Sequence, residues 1–181
     1  MKQALFVIDV QNEYFTGALP VTYPAESFTN IKKAMDRAHA SRVPVVVIQH
    51  GSPAPDAPAF RQGSPGWELH EEIKRRPYDL LIEKTLPGSF TGTGLEPWLN
   101  EHGITDITIV GYMTQMCCDT TARQAFHLGY NVTFLSDATG TLAISNAVGS
   151  ISAADLHRAI LITQQMRFSR VMTTDEWIAG L

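Results

Sequence analysis

Hydrophobic and polar positions follow two rhythms along this chain. Short, unbroken apolar runs rich in Val and Ile suit strands buried on both faces. Longer stretches, with apolar residues every three or four positions, suit amphipathic helices. The runs Gln3 to Val10 (QALFVIDV), Val43 to Gln49 (VPVVVIQ), Leu80 to Glu83, Ile104 to Val110, Asn131 to Ser136 (NVTFLS) and Arg170 to Thr173 predict six strands. Pro44 fits only near the start of the second. Pro24 to Ser41, with Ile31, Met35 and Ala38 at helical spacing, predicts a helix, and Glu68 to Arg76 and Leu95 to Glu101 predict shorter ones. Ala153 to Arg167 carries Leu156, Ile160 and Ile162 to Met166 in a helical pattern. A terminal helix follows, capped by Thr174 or Asp175. Alternating strands and helices imply an α/β fold with a parallel sheet and right-handed crossovers. No internal repeat or linker divides residues 1–181, so a single domain is expected.

The stretch from Ile104 to Tyr130 concentrates the local signals. Its strand is followed by Gly111, and Thr114 offers a side-chain oxygen for a helix N-cap. Gln115 to Leu128 then suits a helix closed by Gly129 in a left-handed C-cap. Cys117 falls in the first turn of that helix, beyond the C-terminal end of a central strand, where open α/β sheets bind ligands. The helix start favours thiolate there; a buried, inert thiol is the alternative. Between the elements, His50 to Trp67 forms a long Pro/Gly/Ser loop of the kind that serves as a wall or lid. Pro87 to Gly94 (PGSFTGTG) is glycine-rich but lacks the ending of a P-loop and the spacing of a dinucleotide fingerprint, so it reads as a site-wall loop. Ala138 to Ser150 reads as a small-residue loop.

Composition narrows the function classes. Of the 181 residues, 44% are hydrophobic and 18% charged, which excludes a disordered chain. A net charge of -4 leaves no overall basic footprint for nucleic acid, and Lys74, Arg75 and Arg76 form the only basic cluster. No apolar run approaches a membrane span, and the start meets Asp9 too soon for a signal peptide. The two cysteines, Cys117 and Cys118, are adjacent, which makes a poor structural staple and points to a reducing compartment, with the cytoplasm as the expected location.

Three reactive groups stand at three predicted strand ends: Asp9 after the first, Lys84 just past the third and Cys117 after the fourth. A parallel sheet brings all three ends to one edge. An acid at the end of an apolar run is costly to bury alone, so Asp9 is read as a general base, ligand contact or metal ligand, or as a loop carboxylate. Beside a thiol, an Asp–Lys pair makes chemical sense: the carboxylate can take the thiol proton while the ammonium keeps the acid ionised and steadies sulfur.

The chain resembles the isochorismatase-like cysteine hydrolases, which include nicotinamidases and N-carbamoylsarcosine amidohydrolase. The likeness rests on FVIDVQNEYF, EKTLPGSFTGTGLEPWL, IVGYMTQMCCDTTARQAFHLGYNVTFLSDA and the RVMTTDEW ending. It implies a three-layer, doubly wound, six-stranded parallel sheet of order 3-2-1-4-5-6 with helices on both faces, and a catalytic triad of Asp9, Lys84 and Cys117. It further implies a cis peptide between Tyr112 and Met113, aiming the Met113 and Cys117 amides at an oxyanion. The implied activity is hydrolysis of a C–N bond in a small amide, ureido or cyclic-amide substrate, through a thioester-type intermediate and without a cofactor. Dimers or tetramers are common in the family, and a homo-oligomer is expected, with Ala138 to Ala154 as a candidate contact.

Gln11, Phe15, His50, Trp67, Phe90 and Tyr112 are the expected pocket residues on that likeness. Trp67 and Phe90 read equally well as core, and Gln11 as a structural hydrogen-bonding group near Asp9. The Asp-x-His element of metal-dependent relatives is absent after the second strand, where His50, Asp56 and His70 are the available donors, so no metal is expected. His39, His102, His127 and His157 are read as surface residues. Two other classes compete: a redox or soft-metal protein using the Cys117–Cys118 pair, and a catalytically silent ligand-binding or interaction protein on the same fold. A Cys–His dyad with His50 as base is a variant of the leading reading.

Overall fold

The apolar runs become strands in the computed structural model, which describes residues 2–181. They are β1 (Gln3–Ile8), β2 (Val45–His50), β3 (Leu80–Lys84), β4 (Asp106–Tyr112), β5 (Asn131–Gly140), β6 (Ile144–Asn146), β7 (Gly149–Ile151) and β8 (Arg170–Met172). Six of them form one all-parallel sheet in the order β3-β2-β1-β4-β5-β8. This is the expected topology, with β8 as the sixth strand of the sequence reading. The helices are α1 (Ser27–Ala40), α2 (Glu71–Lys74), α3 (Leu95–Glu101), α4 (Asp119–His127), α5 (Ala153–Thr163) and α6 (Thr174–Ala179).

Strand periodicity divides the core in two. Leu5 and Val7 of β1 and Val45 and Val47 of β2 face Ile31, Ala34, Met35 and Ala38 of α1 and Trp177 of α6. The alternate residues Phe6, Ile8, Val46 and Ile48 face Leu95 and Leu99 of α3 and Ala122 and Ala125 of α4. Each fully buried aliphatic side chain contributes about 1.5–3 kcal/mol, so a strand apolar on both faces is driven to the centre of such a stack. Gly111 lets β4 lie against β1. Its φ is +118°, and a Cβ there would stand 2.0 Å from the Ile8 carbonyl oxygen.

Several local expectations are corrected. β5 does not stop before Asp137 but continues to Gly140, and residues expected as loop form the antiparallel β6–β7 hairpin. Asp137 does not end the strand because its carboxylate is engaged: Thr174 donates to it from both N–H and Oγ1, each at 2.7 Å. That contact also moves the cap of α6 to Thr173, which makes a reciprocal capping box with Glu176. Thr114 caps no helix. A wide π-type turn, Thr114–Cys118, precedes α4, and Thr114 Oγ1 is bonded to His157 instead. His157 is therefore buried, not a surface residue. Gly129, with φ +89°, ends α4 as expected.

Candidate active site

Three strand ends deliver the predicted trio to one edge of the sheet. The chain leaves β1 at Asp9 in a left-handed conformation, φ 51°, which Asp tolerates better than most residues. Asp9 N–H donates to the Ile48 carbonyl at 2.9 Å, and its own carbonyl accepts Gln11 N–H at 2.8 Å. Lys84 is the last residue of β3, not one past it, and lies in register with His50 of β2. Cys117 sits in the wide turn after β4, four residues beyond the Tyr112–Met113 peptide, which is cis.

Lys84 is the hub. Its Nζ donates to Asp9 Oδ2 at 2.8 Å and to Cys117 Sγ at 3.3 Å. Both side chains of the ion pair are fully shielded from solvent, and Cys117 is only 6% exposed. Burial pulls the Lys84 pKa down, but the negative charge of Asp9, and of Cys117 whenever it is ionised, outweighs it and holds it above its ordinary value. Burial raises the Cys117 pKa, the Asp9 charge adds to this, and Lys84 opposes without cancelling it. The shift runs in the direction of the buried-thiol alternative, against the pull of the helix start. Asp9 Oδ1, buried like its partner oxygen, has no hydrogen-bond partner among the described residues.

Residues 3–176 match the sequence model of the Isochorismatase domain. The chain belongs to the isochorismatase family. An isochorismatase-family structure from Burkholderia xenovorans LB400 is 48% identical and superposes with a TM-score of 0.96, covering 98% of this chain and 86% of that one. Nicotinamidase 3 of Arabidopsis thaliana is 28% identical over 96% of this chain and 85% of its own length. Ureidoacrylate amidohydrolase RutB of Agrobacterium fabrum is 28% identical over 75% of each chain. Membership of the family makes this protein a hydrolase.

Around this isochorismatase-family trio the expected wall residues separate into groups. His50 lies beside Asp9 and Lys84; burial lowers its pKa, Asp9 opposes this and Lys84 reinforces it. Its Nδ1 is buried without a hydrogen-bond partner among the described residues. The Trp67 indole covers Gly51, where a Cβ would stand 2.9 Å from Nε1. Phe90 packs on the core face that holds Cys117, with its ring 6.3 Å from Phe6 and 5.9 Å from Tyr130.

Other expected wall residues turn to structural tasks. Gln11 is fully buried and its carboxamide is consumed: Nε2 donates to the His50 and Trp67 carbonyls at 2.8 and 2.6 Å, and Oε1 accepts His50 N–H at 2.8 Å. Phe15 packs in an aromatic cluster with Phe28, His70 and Tyr112 on the α1 face. The Tyr112 hydroxyl lies 3.2 Å from Ser27 Oγ. In the glycine-rich loop, Ser89 bonds to Thr121 and Thr91 to Gln124, which fasten it to α4.

Among the described residues, no three His, Cys, Asp or Glu side chains gather into a metal-holding group, so His50, Asp56 and His70 do not form one. Nor is any described helix long and apolar enough to cross a membrane. Sequence reasoning missed two polar contacts to the cysteine turn, from His157 and Gln164. A signal was present: His157, Leu161 and Gln164 share one helical face, and the strongly apolar Ile162 lies off it.

Proposed function

We propose that this protein is a cysteine-dependent hydrolase that cleaves the C–N bond of a small amide, ureido or cyclic-amide compound through a thioester-type intermediate. The observation that carries this reading is the single ammonium of Lys84 in contact with both Asp9 and Cys117 in a dry site. Moving the thiol proton to Asp9 converts a carboxylate and a thiol into an acid and a thiolate. The buried net charge does not change, and the negative charge passes between two atoms that Lys84 already touches. A proton transfer of this kind avoids most of the cost of creating a new buried charge.

Sulfur then attacks the substrate carbonyl carbon, and the oxyanion is received by the Met113 and Cys117 backbone amides. As the tetrahedral adduct collapses, the C–N bond breaks and protonated Asp9 gives its proton to the departing nitrogen. Water, deprotonated by Asp9, attacks the thioester carbonyl and releases the acid and the thiol. His50, with its unpartnered ring nitrogen, contacts the substrate. Two adjacent thiols suit a reducing compartment, and a cytoplasmic site of action belongs to the same proposal.

A panel of primary amides, ureides and cyclic amides tests the reading. Cys117→Ala is expected to lower turnover of any accepted compound by more than about 10³-fold while retaining the native circular-dichroism spectrum. Near-wild-type turnover in that variant would sink it.

A further inference from the structure

The turn that carries Cys117 is held from outside by one helix. At its start, Thr114 Oγ1 lies 2.8 Å from His157 Nδ1. Just past its end, Gln164, in the turn that continues α5, donates through Nε2 to Asp119 Oδ1 at 2.7 Å. Thr114, His157 and Gln164 are all buried. The other edge of the His157 ring is committed as well, with Nε2 2.8 Å from the Ser136 carbonyl oxygen. A carbonyl only accepts, so Nε2 carries a hydrogen; burial favours the neutral ring, and Nδ1 is then the acceptor for the Thr114 hydroxyl. Tyr23 closes the pocket with its ring edge-on to the imidazole at 5.5 Å. Each hydrogen-bonding atom of the chain Thr114–His157–Ser136 thus has a single assigned role. Thr114 and His157 are buried and Ser136 is half-buried, and none of the three residues is needed for proton transfer at Asp9.

We propose that His157 is a positioning residue: through Thr114 it fixes the register of the Thr114–Cys118 turn and so sets the Cys117 sulfur against Lys84 and Asp9. Only two residues, Gln115 and Met116, separate Thr114 from Cys117, so rotation of the turn at Thr114 carries the sulfur with it. The 3.3 Å contact with Lys84 depends on where that rotation leaves the sulfur. The inference rests on the reading of Cys117 as nucleophile.

The test is alkylation by iodoacetamide, with the rate at Cys117 read by peptide mass, because it needs no knowledge of the substrate. In Thr114→Val, isosteric but without the hydroxyl, labelling of Cys117 is expected to slow about tenfold; Thr114→Ser, which keeps the hydroxyl, stays within about threefold of wild type. Two replacements of His157 separate positioning from folding. His157→Asn keeps an acceptor near the Nδ1 position, and His157→Gln keeps only the Nε2-side contact with Ser136. His157→Gln is expected to label the slower of the two even if both are equally destabilised. Combining Thr114→Val with His157→Gln should slow labelling no more than either change alone. Wild-type labelling rates in folded Thr114→Val, equal rates in the two His157 variants, or multiplicative losses in the double variant would each overturn the proposal. Slow and equal labelling of Cys117 and Cys118 in the wild type would instead remove the nucleophile reading, and the positioning role with it.

Discussion

At the scale of single residues, the site is governed by how buried charge is paired. Asp9 and Lys84 are ion-paired, with both side chains shielded from bulk solvent. Removing one member of such a pair leaves the other uncompensated, a cost of about 3–5 kcal/mol. Lys84→Met is therefore expected to lower the unfolding free energy by about that amount in urea titration, besides abolishing turnover. The double variant with Asp9→Asn should recover part of the loss, and an unchanged urea midpoint in Lys84→Met would contradict the buried pair. The three groups were legible in the sequence because each follows an apolar run, and parallel strands bring their ends together. The protonation state of Cys117 was not legible. The helix-start argument considered local dipoles alone, whereas burial and the neighbouring carboxylate, both products of tertiary structure, outweigh them. For Gln11 the family likeness suggested a pocket role and its place near Asp9 a structural hydrogen bond; both of its side-chain N–H groups and its oxygen bond to the backbone around His50 and Trp67, contacts that no local pattern announces.

At the scale of elements, strands were easier to read than the helix around His157. A strand buried on both faces announces itself by unbroken apolarity, and β1, β2 and β4 appear close to where the pattern put them. α5 breaks the usual rule. Its inward positions include His157, and Gln164 follows in the continuing turn, while Ile162 and Met166 are 63% and 77% exposed. The pattern left His157 at the surface, whereas it is buried and pairs with Thr114 of the cysteine turn. β5 was cut short for a related reason, since an acid looks like a strand end until its partner, Thr174, is known. The approach of β4 to β1 gives a test at this scale. Gly111→Ala places a methyl group on the Ile8 backbone at a φ unfavourable for alanine. Strain and overpacking together are expected to cost about 2–6 kcal/mol, seen as loss of soluble protein or a large fall in urea midpoint. A wild-type midpoint would mean that β4 does not pass so close to β1.

For the molecule as a whole, three histidines held toward the neutral form by burial make stability depend on pH. His50, His70 and His157 all have pKa values below the ordinary 6.5. As pH falls through about 6.5 the unfolded chain takes up protons at these sites before the folded chain does. Stability is accordingly full above that value and is lost as pH drops toward the depressed folded-state pKa values. The thermal midpoint is expected to fall between pH 7.5 and pH 5, with a shallower slope in His157→Gln; equal slopes in the two proteins would exclude a contribution from His157. The Gln11 carboxamide has a different consequence. It fastens His50 and Trp67 to the chain just after β1, so residues 51–66 hang from a closed base. The hanging segment folds partly on itself, with Ser52 N–H donating to the Phe60 carbonyl at 2.8 Å. Doubling the length of such a loop costs only about 0.6 kcal/mol in closure entropy. Changes of length at its exposed tip, residues 53–58, away from the buried Phe60, are therefore expected to leave the Asp9–Lys84 pair in place.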